Sequence, residues 1–166
     1  VSLPAARGTP YRICLVCLGN ICRSPIAAVV LSRRVEHAGL PVRVDSAGTG
    51  DWHIGEQADH RARAALARAG YDGEDHRARQ FDRLWFAERD LVLALDESNA
   101  ADLRRLAPDD DARSRVRLLR SFDPAATGDL AVPDPYWGSD GDFDDVLAVV
   151  ERAVDGLVAA LRADLG

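Results

Sequence analysis

Short apolar runs alternate with helix-periodic segments along the whole chain, and that alternation leaves few folds open. Residues 11–17, Tyr-Arg-Ile-Cys-Leu-Val-Cys, are rich in strand formers and run through Gly19-Asn20 to Ser24-Pro25, where a longer periodic segment begins. Ser24 suits an N-cap, Pro25 the first helical position, where a missing N–H costs nothing, and Gly39 the helix stop. Val42 to Ser46 alternates like a second strand, and Asp59 to Gly70 carries Ala62, Ala65, Leu66 and Ala69 at helical spacing. Asp90 to Leu95 is almost continuously apolar, as befits a strand buried on both faces; Asp96 then caps a helix bearing Ala100, Leu103 and Leu106, which Pro108 stops. Asp109-Asp110-Asp111 reads as a solvated loop, and Val116 to Leu119 as a fourth, weaker strand. The last helix shows Phe143, Val146, Leu147, Val150, Val154, Leu157, Val158 and Leu161 on one stripe. The expected fold is α/β, a parallel sheet covered by helices on both faces, with ligands bound beyond the carboxyl ends of the strands.

A length of 166 residues suits one domain, read as residues 11–166 behind a flexible tail at 1–10 that has two prolines and no apolar run of signal-peptide length. No apolar run is long enough to span a membrane. Acidic residues outnumber basic ones 27 to 21, a net charge of −6, which gives no general attraction to nucleic acid or to an anionic membrane. An acidic substrate must therefore be captured by local positive potential. The sequence contains no lysine, so mechanisms that need a phosphate-binding or Schiff-base amine are excluded. All three cysteines fall between residues 14 and 22, a poor framework for a secreted fold, and a reducing, cytoplasmic setting is expected. His37, His53, His60 and His76 share no ligand spacing with cysteine. The run Asp140-Gly-Asp142-Phe-Asp144 has Asp145 where a calcium loop needs glycine, and it reads as the acidic start of a helix. No metal and no other cofactor is expected.

The chemistry concentrates in Cys17-Leu18-Gly19-Asn20-Ile21-Cys22-Arg23-Ser24, between the first strand and the first helix. A loop winding into a helix N-terminus turns backbone N–H groups toward one point, where the helix dipole also favours an anion. Arg23 offers a planar fork matched to phosphate oxygens, and the same field favours a thiolate at Cys17 facing the bound anion. Gly19 and Asn20 both tolerate the positive φ such a loop needs. Cys-x5-Arg alone is a weak signal, and the plainer alternative makes Cys17 and Cys22 small buried hydrophobes with Ser24 a cap. Strand, turn and helix around the spacing favour the phosphate loop. Cys17 and Cys22 curl round one anion and are expected within disulfide reach, whereas Cys14, an odd number of residues away along the strand, points to the opposite face.

The stretch Val16 to Pro25 resembles the signature of the low-molecular-weight protein tyrosine phosphatases. Further similarity lies in Asp45-Ser46-Ala47-Gly48-Thr49, His76-Arg77-Ala78-Arg79-Gln80, Leu95-Asp96-Glu97-Ser98-Asn99, Ser121-Phe122-Asp123-Pro124 and Asp134-Pro135-Tyr136-Trp137-Gly138. The resemblance implies a four-stranded parallel sheet, a cysteinyl-phosphate intermediate at Cys17, Arg23 as phosphate clamp, and Asp134 as general acid. Spacing by itself leaves Asp134, between Pro133 and Pro135, readable as a turn residue. The resemblance further implies that Asn20, Ser24, Ser46 and His76 support the loop, with Leu18 at the cleft edge and Trp52, Tyr136 and Trp137 as aromatic walls. It implies phosphotyrosine-containing proteins as partners; a monomer is expected. Two rivals stand beside this reading: a phosphotyrosine-binding module without turnover, and an arsenate reductase-like enzyme, which needs late cysteines where this chain has none after Cys22.

Overall fold

The computed structural model describes residues 2–166; Val1, the first residue of the expected tail, lies outside the described residues. Four strands, β1 (Tyr11–Cys17), β2 (Val42–Gly48), β3 (Leu91–Ala94) and β4 (Val116–Leu118), form an all-parallel sheet in the order β2-β1-β3-β4. The helices are α1 (Arg23–His37), α2 (His60–Arg68), α3 (Glu97–Leu106), the short α4 (Asp110–Ser114) and α5 (Asp140–Leu165). Side chains alternate between sheet faces with period two. Ile13, Leu15 and Cys17 pack with Leu91 and Leu93 against apolar residues of α1, α2 and α5, whereas Cys14, Val16, Val92 and Ala94 face Phe81, Phe86 and Leu103. Cys14 is thus on the opposite face from Cys17, as the spacing requires. No helix among the described residues is long and apolar enough to cross a membrane.

Register sets the site. Cys17 pairs with Gly48 and Val16 with Ala94, so the carboxyl ends of β1, β2 and β3 finish almost level. At that edge a Cβ on Gly48 would stand 2.6 Å from Leu18 O and 3.2 Å from Asn20 N, so only glycine lets β2 lie under the loop that leaves β1.

Several boundaries differ from the sequence reading. Helix α1 opens at Arg23 with Cys22 at the N-cap, and Ser24 is no cap: its hydroxyl turns inward to Cys17 and Asn20. Strand β2 runs two residues past Ser46, to Gly48. The Asp109–Asp111 run is exposed to solvent, as expected, but it is the start of α4 rather than a loop. Asp109 Oδ1 accepts from Ala112 N at 2.8 Å, and Asp110 and Asp111 lie in the first turn, where the helix dipole favours acids. A 3₁₀ turn at Arg83–Glu88, capped by Asp82, was not anticipated. Ahead of β1, Arg7 N donates to Asp90 Oδ1 at 2.7 Å, Arg115 Nη1 donates to Ala5 O and Tyr11 Oη to Pro4 O, both at 2.9 Å.

Helix α5 crosses the 3₁₀ turn at Leu119–Phe122 through Gly156, where an added Cβ would lie 1.9 Å from Phe122 O. Alanine is the better helix former by about 1 kcal/mol, so glycine here reflects close approach rather than helix propensity. Gly156→Ala is expected to destabilise the fold by about 1–3 kcal/mol, the usual cost of overpacking. Urea unfolding measures this, and an unchanged or higher midpoint would show that the crossing has room to spare.

Candidate active site

Between Cys17 and α1 the main chain turns its carbonyls outward. Cys17 O accepts from Thr49 N at 2.9 Å, Leu18 O from Gly50 N at 2.9 Å, Ile21 O from Asp59 N at 2.8 Å and Cys22 O from Ile26 N at 3.3 Å. Asn20 O lies 2.7 Å from His76 Nε2. Since the C=O and N–H of a trans peptide point in opposite directions, the N–H groups of Leu18, Gly19, Ile21, Cys22 and Arg23 turn toward the centre of the loop. Asn20 N donates to Cys17 Sγ at 3.3 Å. The arrangement is a ring of donors with a buried sulfur at its base and a 15-residue helix behind it, a site for a tetrahedral anion.

Asn20 makes the ring close. It is fully buried with φ 58°, and it rather than Gly19 supplies the left-handed residue. Gly19 is small for another reason: a Cβ there would sit 3.1 Å from the His53 ring. Asn20 Nδ2 donates to Ser24 Oγ at 2.7 Å and to Ser46 Oγ at 3.0 Å, while Oδ1 accepts from Arg79 N at 2.9 Å. Ser24 Oγ, which accepts from Asn20, lies 3.0 Å from Cys17 Sγ and donates to Ala47 O at 3.4 Å, so its one proton stands between the sulfur and a carbonyl and is available to a thiolate at Cys17. A carbonyl only accepts, so His76 carries its proton on Nε2, and burial pulls the ring's pKa below the ordinary histidine value, which keeps it neutral.

Arg23 is only 4% exposed. Its Nη1 donates to Asp96 Oδ2 at 2.7 Å and Val132 O at 3.0 Å, and its Nη2 lies 3.7 Å from Asp134 Oδ2. Asp96 is at once the cap of α3, accepting from Asn99 N at 2.8 Å, and the counter-charge that orients the guanidinium. A cavity of about 300 Å³ opens above the loop, lined by Cys17, Leu18, Gly19, Ile21, Cys22 and Arg23, with Trp52, Asp134, Tyr136 and Trp137 as walls. Ser24, Asn20, Ser46 and His76 stand behind the loop. Burial first, and then the charge of Asp59, push the Cys22 thiol well up, so it stays protonated beside Cys17.

Reading the sequence missed three parts of this arrangement. His53 lines the cavity, Asp96 pairs with Arg23, and Arg79 holds Asn20 through its main chain. Asp96 carried a signal only as a helix cap; nothing local marked its second oxygen. A wider groove of about 670 Å³ between α1 and residues 70–79 has its arginines engaged, Arg33 on Gly70 O, Arg77 on Glu74 O and Arg79 on Asp45.

Comparison with known proteins agrees with this geometry. The chain is 57% identical to a low molecular weight protein-tyrosine-phosphatase of Streptomyces coelicolor, over 92% of this chain and 94% of the relative. It is 48% identical to low molecular weight protein-tyrosine phosphatase A of Mycobacterium tuberculosis, over 89% and 90%. A protein tyrosine phosphatase from Entamoeba histolytica, crystallised with Hepes in the active site, superposes with a TM-score of 0.87 at 31% identity, covering 93% of this chain and 98% of that one. With the model for low molecular weight phosphotyrosine protein phosphatases matching residues 12–165 as well, the chain belongs to that family.

Proposed function

We propose that the protein hydrolyses phosphotyrosine and related aryl phosphate monoesters through a phosphorylated Cys17. The supporting observation is that Cys17 and Arg23, with the inward N–H groups of their loop, share one cavity with Asp134. The phosphoryl oxygens accept from those N–H groups and from Arg23, and the ester's ring lies between Trp52, Tyr136 and Trp137. The Cys17 thiolate, hydrogen-bonded by Ser24, attacks phosphorus; an S–P bond forms as the bond to the phenolic oxygen breaks. Asp134 gives its proton to that oxygen, because an unprotonated phenolate leaves poorly. Water then attacks phosphorus, Asp134 takes its proton, and the S–P bond breaks to release phosphate and regenerate the thiolate.

In this reading the partners are phosphotyrosine-bearing proteins, with no nucleic acid or membrane involved. A monomer working in the cytoplasm suits three cysteines that are all free thiols. Residues 11–166 act as one domain.

Cys17→Ser is expected to fold normally, to lose turnover and to retain binding, while vanadate inhibits the parent competitively. Asp134→Ala is expected to lower kcat/KM for phenyl phosphate by about 10²–10⁴, and by much less for p-nitrophenyl phosphate, whose leaving group needs no proton. Equal losses for the two esters would remove Asp134 as the donor. Binding of phenyl phosphate by the parent without turnover would make the protein a binding module.

Cys22 lines the same cavity as Cys17, which supports a role in protection against oxidation. Peroxide converts the Cys17 thiolate to a sulfenic acid, and the Cys22 thiol displaces water from it to form a disulfide. Inactivation by peroxide is expected to be reversed by dithiothreitol and slowed by phosphate. In Cys22→Ser it should become largely irreversible, with sulfinic or sulfonic Cys17 in the mass spectrum. A Cys22→Ser enzyme that recovers as fully as the parent would leave Cys22 only a packing role.

A further inference from the structure

Asp134 lies in a segment held at both ends by other parts of the chain. At its start, Val132 N donates to Leu95 O at 2.7 Å and Val132 O accepts from Arg23 Nη1 at 3.0 Å. Within it, Tyr136 N donates to Asp134 Oδ1 at 3.1 Å and Gly138 N to Pro135 O at 2.8 Å. The far end is held by Arg61 of α2. Its Nη2 donates to Tyr136 O at 2.9 Å and its Nη1 to Gly138 O at 3.0 Å. The same guanidinium donates through Nε to Asp59 Oδ1 at 3.0 Å and through Nη2 to Asp59 Oδ2 at 2.9 Å, and its Cζ lies 4.5 Å from the centre of the Phe143 ring. Asp59, in turn, donates its main-chain N–H to Ile21 O of the phosphate loop.

We propose that Arg61 is a positioning residue for the proton transfer: it ties the carbonyls of Tyr136 and Gly138 to Asp59, and so holds Asp134 in register with the phosphate loop. The inference rests on the reading of Asp134 as proton donor. A planar fork with five donors serves a carboxylate and two carbonyls together, which an ammonium cannot do. The Arg61 and Asp59 side chains are only 19% and 10% exposed, so removing Arg61 also costs stability by leaving a largely buried carboxylate without its partner, and the placement of the loop must be read from a ratio rather than from activity alone. Removal of Arg61 leaves the Asp59 charge uncompensated near the cysteines, but a change in thiolate fraction scales every ester alike. The ratio between two esters therefore isolates the proton donor.

The test uses Arg61→Met, which keeps the stem over Phe143 and deletes every hydrogen bond of the guanidinium, and Arg61→Lys, which keeps the charge without the fork and covers the case in which the Met variant folds poorly. In both, kcat/KM for phenyl phosphate is expected to fall about 10- to 100-fold, the scale of a small displacement of a catalytic group. For p-nitrophenyl phosphate it should change much less, and inhibition by inorganic phosphate should stay near the parent's. In an Asp134→Ala background, Arg61→Met should leave the ratio between the esters unchanged. Equal losses for the two esters, or a full further loss of the ratio in the Asp134→Ala background, would overturn the proposal while leaving the Asp134 reading on its own leaving-group test. If Asp134→Ala itself fails to distinguish the esters, both fall together.

Discussion

Asn20 is where a short loop becomes an anion site. A left-handed backbone at a residue other than glycine carries a cost of about 1 kcal/mol or more, and the fold holds it there with hydrogen bonds to both sides of the side chain and to the main-chain carbonyl. Asn20 itself is fully buried, and a buried donor or acceptor left without its partner costs about 1–3 kcal/mol. The sum outweighs the strain, so the turn is fixed before any ligand arrives. Fixing it sends the Asn20 N–H to Cys17 and the neighbouring carbonyls outward. A loop that had to reorganise on binding would give up part of its attraction for phosphate.

The supports of Asn20 come from far along the chain. Ser46 ends the part of β2 that alternates, and His76 and Arg79 belong to a segment with no regular structure. They reach the loop because β2 is the sheet neighbour of β1 and continues to Gly48, whose N–H donates to Arg79 O at 2.8 Å. The parallel order thus does more than expose strand ends: it brings an edge segment alongside the loop to clamp it. Arg23 receives the same treatment on the other flank from Asp96 after β3 and Val132. In a protein of net charge −6, positive potential at the site comes from these held dipoles and one buried guanidinium, not from an excess of bases.

The legible parts of the molecule were those written in neighbouring residues. Strand periodicity located β1, β2 and β3, and the short spacing from Cys17 to Arg23 located the loop, because local pattern and local geometry coincide there. Two local rules misled. Ser24 has the residue type of an N-cap, but Asn20 and Cys17 compete for its hydroxyl and win, since both are buried with it. Asp109–Asp111 has the composition of a solvated run, yet one aspartate caps and two begin a five-residue helix. The pairings of Arg23 with Asp96 and of Arg61 with residues 136 and 138 had no local trace, since each bridges more than 70 positions in sequence.

The two halves of the site differ in how they achieve precision. Cys17 is 3% exposed and is placed by main chain and sheet register, so its position is inherited from the fold itself. The Asp134 side chain is 49% exposed and Trp137 is 92% exposed, on a segment without regular structure. Openness on this side suits the approach of a large phosphoprotein, and it removes the packing that would otherwise place the Asp134 carboxyl. What remains available is a few long side chains that reach across, and arginine suits that task because one planar group can satisfy several acceptors in fixed directions. Arg23 does this beside Cys17, reaching Asp96 and Val132, and Arg61 does it across the segment that carries Asp134, reaching Tyr136 and Gly138. The buried half therefore depends on sheet register and main chain, whereas the exposed half depends on a small number of side-chain ties.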